Sequence, residues 1–308
     1  MSKRNNLIHQ YKKNLQQQIR FGASKHQDKL DAYQKAREAN TPYVRPCGIY
    51  STNTYKTYDE ICQRYINWVL EHHRQEIKTY EDCKPYVAQW LMEKETEGLS
   101  AWSLNVYGSA LASSYNIRKS QFGYAFPSRE RKHIKRNRFD NLNGKYYSKQ
   151  QQEAHKMLIA TGCRRAEILR LRKDDFRKQK DASGRETGNL EVYKRGKGGI
   201  QRWCLVNPNY TEFVQNFLSQ ATTHLFGGED RLFLKSDIPK GGIHSTRAIY
   251  AAELYDYYKK EGYASGKLYH CRKELAGTAY DKGILQKVSY DLQHARHGIV
   301  IQYLWLKQ

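Results

Sequence analysis

The chain has 308 residues, with 53 Lys and Arg against 31 Asp and Glu, for a formal net charge of +22. Its 39% hydrophobic content excludes wholesale disorder, and its length predicts about two domains. No apolar run reaches the roughly 18 residues that a membrane helix needs, and the basic, polar start lacks the apolar stretch of a secretory signal.

Residues 1–46 contain ten Lys or Arg and three acids. Ile8, Tyr11, Leu15 and Ile19 recur at helical spacing and predict a short amphipathic helix. Gly22, Pro42 and Pro46 break up the rest. We expect a basic N-terminal extension, either an arm on DNA, a segment that orders on binding, or a plain solvated helix.

Residues 50–117 predict a helical domain. Thr54 or Thr57 would cap a helix bearing Ile61, Tyr65, Trp68 and Val69. Pro85 would open a second with Val87, Trp90 and Leu91. Ser100 would cap a third with Leu104, Tyr107, Leu111 and Tyr115 on one face. Trp68, Trp90 and Trp102 read as core or interface.

Residues 118–144 read as a basic linker. Between 118 and 138, eight cations face Glu130 alone: Arg118, Lys119, Arg129, Arg131, Lys132, Lys135, Arg136 and Arg138. Such a stretch can follow a phosphate backbone.

Residues 145–308 predict a second domain. Ser148 and Gln151 have capping-box spacing before Ala154, Met157 and Leu158, so a helix should run to about Thr161 and Gly162. A further helix passes through Ile168 and Leu171. Residues 190–193 and 202–206 read as strands flanking a Gly-rich turn at 196–199. From Thr211 onward the periodicity is mainly helical. The fold class is therefore mainly α with a small antiparallel β-sheet, a helical domain followed by a mixed α+β domain.

The six cysteines, Cys47, Cys62, Cys83, Cys163, Cys204 and Cys271, form no C-x-x-C pair. They read as reduced thiols of a cytoplasmic protein. His72 and His73 are adjacent and diverge on a helix, so no metal site is expected. A charge of +22 calls for a polyanion, and counterion release favours nucleic acid.

Four pieces of the second domain fit one chemistry. They are TGCRRAEILRLRKDDF (Thr161 to Phe176), GKGGIQRWCL (Gly196 to Leu205), YHCRKELA (Tyr269 to Ala276), and LQH (Leu292 to His294) with Tyr303 nine residues beyond His294. Together they resemble the catalytic domain of the tyrosine recombinases, the phage-integrase family, over roughly residues 145–305. The resemblance places Arg164 and Arg272 at the two catalytic arginines and Lys197 at the catalytic lysine. It places His294 at the histidine of L-G-H and Tyr303 at the nucleophile, with Glu167 and Asp175 in support. Tyr269 stands where the family has histidine, Lys273 replaces the next histidine, and Gln293 replaces the glycine of L-G-H. We expect Tyr269 to face the site and offer its hydroxyl, with the adjacent His270 taking the role only if that segment is not helical. Tyr290 and Tyr280 compete as nucleophiles but lack the nine-residue spacing.

The residue types suit the reaction. A tyrosine hydroxyl that attacks a phosphodiester stores the bond energy in a phosphotyrosyl ester. Two guanidiniums clamp the charge that grows on the non-bridging oxygens. His294 can donate a further hydrogen bond. Lys197 can protonate the leaving 5′-oxygen.

The resemblance implies site-specific DNA strand exchange, and the basic N-terminal extension suggests the integration or excision of a mobile element. The expected partners are a double-stranded recombination site, three further copies in a homotetramer on two duplexes, and an accessory DNA-bending or directionality factor. It implies no cofactor and no membrane partner. A resolvase or chromosome-dimer recombinase, a type IB topoisomerase and a DNA-binding protein that no longer cleaves are the rival readings.

Overall fold

Helix caps written in the sequence set most element boundaries in the computed structural model, which describes residues 2–44, 46–130, 147–196, 199–240, 242–294 and 296–304. The chain divides into two units, Met1–Glu130 and Arg131–Gln308.

In the first unit, Ser2 caps α1 (Lys3–Gln17) and Ser24 caps α2 (Lys25–Glu38). Ser51, rather than Thr54 or Thr57, caps α3 (Thr52–His72), its Oγ accepting from the Thr54 N–H. Pro85 lies in a 3-10 turn (Glu81–Tyr86) that leads into α4 (Val87–Thr96). Ser100 caps α5 (Ala101–Ser114).

Leu7, Tyr11 and Leu15 of α1 are fully buried with Tyr65 and Ile66 of α3, Trp90 of α4 and Leu104 of α5. Each fully buried aliphatic side chain contributes about 1.5–3 kcal/mol. The first helix is thus built into this core and is not an arm beside it. Its i, i+4, i+8 row needs an apolar partner face, and α3 and α5 supply one. By contrast α2 buries no residue.

In the second unit, Ser148 and Gln151 form the reciprocal cap of α6 (Lys149–Thr161). The expected second helix is a single turn, α7 (Arg165–Ile168), followed by a 3-10 turn (Lys173–Asp175). Three antiparallel strands come next: β1 (Phe176–Lys180), β2 (Glu186–Arg195) and β3 (Gln201–Leu205), in that spatial order. Val192 pairs with Phe176 on one side and Cys204 on the other. β1 was not anticipated, because this edge strand, FRKQK, has one apolar residue and no alternation.

α8 (Thr211–Gln220) precedes a hairpin of β4 (His224–Phe226) and β5 (Glu229–Arg231). The long α9 (Ile243–Lys260) buries Ala248, Ala251 and Leu254. A second hairpin joins β6 (Leu268–His270) to β7 (Ala279–Asp281). α10 (Lys282–Asp291), a 3-10 turn (His297–Ile299) and α11 (Ile301–Leu304) complete the described chain.

All six cysteines are free thiols. Among the described residues, no helix is long and apolar enough to cross a membrane, and no three His, Cys, Asp or Glu side chains are grouped to hold a metal ion.

Candidate active site

Four segments of the second unit converge on one group of polar side chains: the end of α6, the start of α7, α9, and the chain from the end of α10 into α11. Gly162 ends α6 with a φ of +59°. A Cβ there would overlap the ring of Tyr250 on α9. Glycine is therefore needed twice, for the left-handed turn and for close approach to α9.

The Glu167 carboxylate folds back onto Arg164 at the start of α7 and accepts from it twice. The Arg164 N–H donates to Glu167 Oε2 at 2.7 Å, and its Nη1 donates to Oε1 at 2.5 Å. Arg247 Nη1 lies 3.8 Å from the same carboxylate. Two guanidiniums therefore share one buried carboxylate, which leaves an excess of positive charge.

Arg247 is 1% exposed. It donates to the Gly162 carbonyl through Nη1 and to the Leu292 carbonyl through Nη2 at 2.9 Å. Its Nε is buried without a hydrogen-bond partner. Burying a guanidinium is expensive unless it is paired, and this one is paired only in part.

His294 is positioned by the end of α10. The Gln293 N–H donates to the Tyr290 carbonyl at 2.9 Å and the His294 N–H to the Ser289 carbonyl at 2.8 Å. These are the two bonds of a Schellman cap, with Gln293 in the left-handed position at φ +55°. The cap aims His294 at Arg247. His294 Nε2 lies 3.4 Å from Arg247 Nη2 and 3.5 Å from the Tyr303 hydroxyl.

Burial, then the charges of Arg247 and Arg164, push the His294 pKa down to about 4. The ring is neutral at pH 7. An arginine can only donate, so Nε2 presents its lone pair in this arrangement. The sequence had suggested a donor to phosphate. Here the ring is an acceptor that also faces a tyrosine hydroxyl.

The stem of the β2–β3 hairpin is held against this group. Asp175, 2% exposed, takes both Nη atoms of Arg195 at 2.7 Å. Buried Lys194 donates to the Asp291 carbonyl at 2.6 Å and lies 4.7 Å from the Tyr250 ring centroid.

No protein-family model matches the sequence, and no curated protein matches it. Its structure is similar to that of the XerH site-specific recombinase bound to difH substrate, before cleavage. The TM-score is 0.54 at 15% identity, over 98% of this chain and 93% of that one. The post-cleavage complex of XerH with palindromic difH gives 0.51, with the same identity and coverage. The chain has the tyrosine-recombinase fold.

Within this tyrosine-recombinase fold, the structure brings Arg164, Glu167, His294 and Tyr303 together and sets Asp175 behind the hairpin stem. It does not bring Arg272 or Tyr269 to them. Both lie on the β6–β7 hairpin, and β6 is a strand, so the spacing from 269 to 272 does not define a helix face. Arg272 is exposed. Tyr269 packs edge-on against His297, ring centroids 5.6 Å apart, and forms no hydrogen bond to the group among the described residues.

The arginine that is brought in, Arg247, was missed. The signal was present: IHSTR gives H-x-x-R from His244 to Arg247, in the first turns of a helix that follows Gly242. His244 lies three residues before Arg247, on the same side of the helix and at the surface.

Lys197 lies outside the described residues. So do Arg131, Lys132, Lys135, Arg136 and Arg138 of the basic stretch. In the first unit, Arg118 and Arg129 are exposed. Lys119 donates to Asn105 at 2.9 Å and lies over Phe126 at 4.8 Å. Tyr290 is half exposed with Arg202 over its ring, and Tyr280 packs on Tyr255. Among these three tyrosines only Tyr303 reaches His294.

Proposed function

We propose that the protein carries out site-specific strand exchange on double-stranded DNA through a 3′-phosphotyrosyl intermediate. The observation that carries this reading is the pair of guanidiniums, Arg164 and Arg247, sharing one carboxylate beside the His294–Tyr303 contact. A net positive, partly buried group next to a phenol is suited to a phosphodiester.

The Tyr303 hydroxyl oxygen attacks the scissile phosphorus, forming a P–O bond to tyrosine as the bond to the 5′-oxygen breaks. Arg164 and Arg247 take the charge on the non-bridging oxygens. His294 Nε2 receives the phenolic proton, and the approaching phosphate charge makes that nitrogen more basic than it is in the free site. Lys197 protonates the departing 5′-oxygen. The returning 5′-hydroxyl reverses the sequence and seals a strand. Arg247, with His244 three residues before it, takes the place that the sequence pattern had assigned to Arg272 and Tyr269. The non-cleaving reading rested on Tyr269, and loses its support once that residue is no longer needed.

Each chain supplies one such tyrosine, and exchange cuts four strands. We therefore propose a homotetramer on two duplexes, with the basic stretch 118–138 along the phosphate backbone. Integration or excision of a mobile element was inferred from a free basic arm. With α1 in the core, that argument rests on residues 18–46 alone. The fold shared with XerH, a site-specific recombinase, is equally compatible with the second reading, a resolvase or chromosome-dimer recombinase.

The test is covalent trapping. The protein is incubated with nicked DNA whose short 5′-hydroxyl fragment diffuses away, in the presence of a chelator. A denaturation-resistant adduct that disappears in Tyr303→Phe supports the reading. Tight binding with no adduct on any DNA overturns it.

A further inference from the structure

The glycine expected before His294 is replaced by Gln293, and the structure gives that glutamine a task. Its backbone keeps the left-handed conformation at φ +55°, which strains any residue but glycine. Its side chain is buried, 5% exposed, and turns toward the β2–β3 hairpin. Nε2 donates to the Lys194 carbonyl at 2.6 Å and approaches the Ile200 carbonyl at 3.5 Å. One of these carbonyls lies on β2 and the other immediately before β3. Ile200 O also accepts the Gly196 N–H at 2.7 Å, closing the turn.

Gly196 is shaped to this side chain. Its φ is not left-handed, yet a Cβ there would overlap Gln293 Oε1. Oε1 itself is buried without a hydrogen-bond partner. A strained backbone, an unsatisfied buried oxygen and a glycine kept open for it are local penalties. They are offset by one connection, between the residue that precedes His294 and the two sides of the turn bearing Lys197.

We propose that Gln293 is a positioning residue that locks the β2–β3 turn to the His294 cap, so that the leaving-group acid and the nucleophile side of the site are held in one frame. This rests on the strand-exchange reading and on Lys197 as the acid. Gln293 touches no reacting atom and acts through the hairpin.

The experiment compares two nicked substrates, one with the natural 5′-oxygen leaving group and one with 5′-sulfur at the scissile bond. A thiolate leaves without being protonated, so the sulfur substrate does not need the acid. Gln293→Gly relieves the backbone strain and should fold. On the oxygen substrate its cleavage rate should fall by about 10- to 100-fold, the effect of loosening a catalytic group. On the sulfur substrate it should match the wild type. Gly196→Ala should show the same selective loss, and the double variant Gly196→Ala with Gln293→Gly should cleave no worse than Gln293→Gly alone.

Equal losses of Gln293→Gly on both substrates, or no loss on either, overturn the proposal while leaving strand exchange standing. A wild-type protein that forms no adduct with either substrate overturns both.

Discussion

Two segments of the second unit each place an arginine three residues after an aromatic or imidazole ring, and the fold treats them oppositely. His244–Arg247 lies on α9, and Arg247 is buried among Gly162, Glu167, Leu292 and His294. Tyr269–Arg272 lies on the β6–β7 hairpin, and Arg272 is exposed. A three-residue spacing sets two side chains on one face only where the backbone is helical. A motif match therefore has to be read with the element that carries it.

The largest expected effect separates these two arginines. Arg247→Ala should reduce adduct formation by about 100- to 1000-fold, as does removal of one preorganised charge donor. Arg272→Ala, a surface change, should stay within about 0.5 kcal/mol of wild-type stability and leave the rate nearly unaltered. Single-turnover cleavage alongside thermal melting checks both. A severe Arg272→Ala defect with an active Arg247→Ala would reverse the comparison.

A second contrast concerns the braces. Asp175 is almost fully buried against the Arg195 fork. Asp175→Ala strands that guanidinium and should destabilise the protein by about 3 kcal/mol. Glu186 and Lys178 form an exposed pair at 2.7 Å. Glu186→Ala should change the unfolding free energy by less than about 1 kcal/mol. Denaturant titration of the two variants tests the difference.

Gly162→Ala should cost about 2 kcal/mol or more, because the left-handed backbone and the overlap with Tyr250 act together. Gly184→Ala supplies the control: its φ is +83° but its side chain would meet open space. If both changes cost the same, close packing on α9 contributes nothing.

The smallest effect is a pH dependence. His294 has its pKa lowered to about 4 from the ordinary histidine range, so it stays neutral while the unfolded chain takes up a proton near pH 6.5. Its contribution to stability is complete above about pH 6.5 and is lost as pH falls toward 4. Between pH 7.5 and 5, wild type should lose more stability than His294→Gln. Equal losses would show that His294 titrates normally in the folded protein.

The sequence was most legible where one residue type had one job. Ser100 and Ser148 start their helices where capping chemistry requires, and the Gly-rich turn lies between two strands. The spacing of Ile8, Tyr11, Leu15 and Ile19 announced an amphipathic helix but neither its partner nor Leu7, the residue that completes the buried row with Tyr11 and Leu15. β1 carried no pattern because an edge strand need not bury alternate residues. Arg164, Glu167, His294 and Tyr303 were accessible as local motifs. Arg247 was missed because its surroundings, Gly162 and Leu292 carbonyls from distant segments, exist only after folding. Gln293 looked like a departure from a pattern, and its partners lie 93 and 99 residues away.

The most direct test of the site is to find which tyrosine carries the DNA. A trapped adduct, trimmed with nuclease and digested with trypsin, can be mapped by mass spectrometry. The account predicts the nucleotide on the peptide running from His297 to Lys307, whose one tyrosine is Tyr303. A nucleotide on the peptide from Val288 to Arg296, which contains Tyr290, or on that from Glu274 to Lys282, which contains Tyr280, would contradict it.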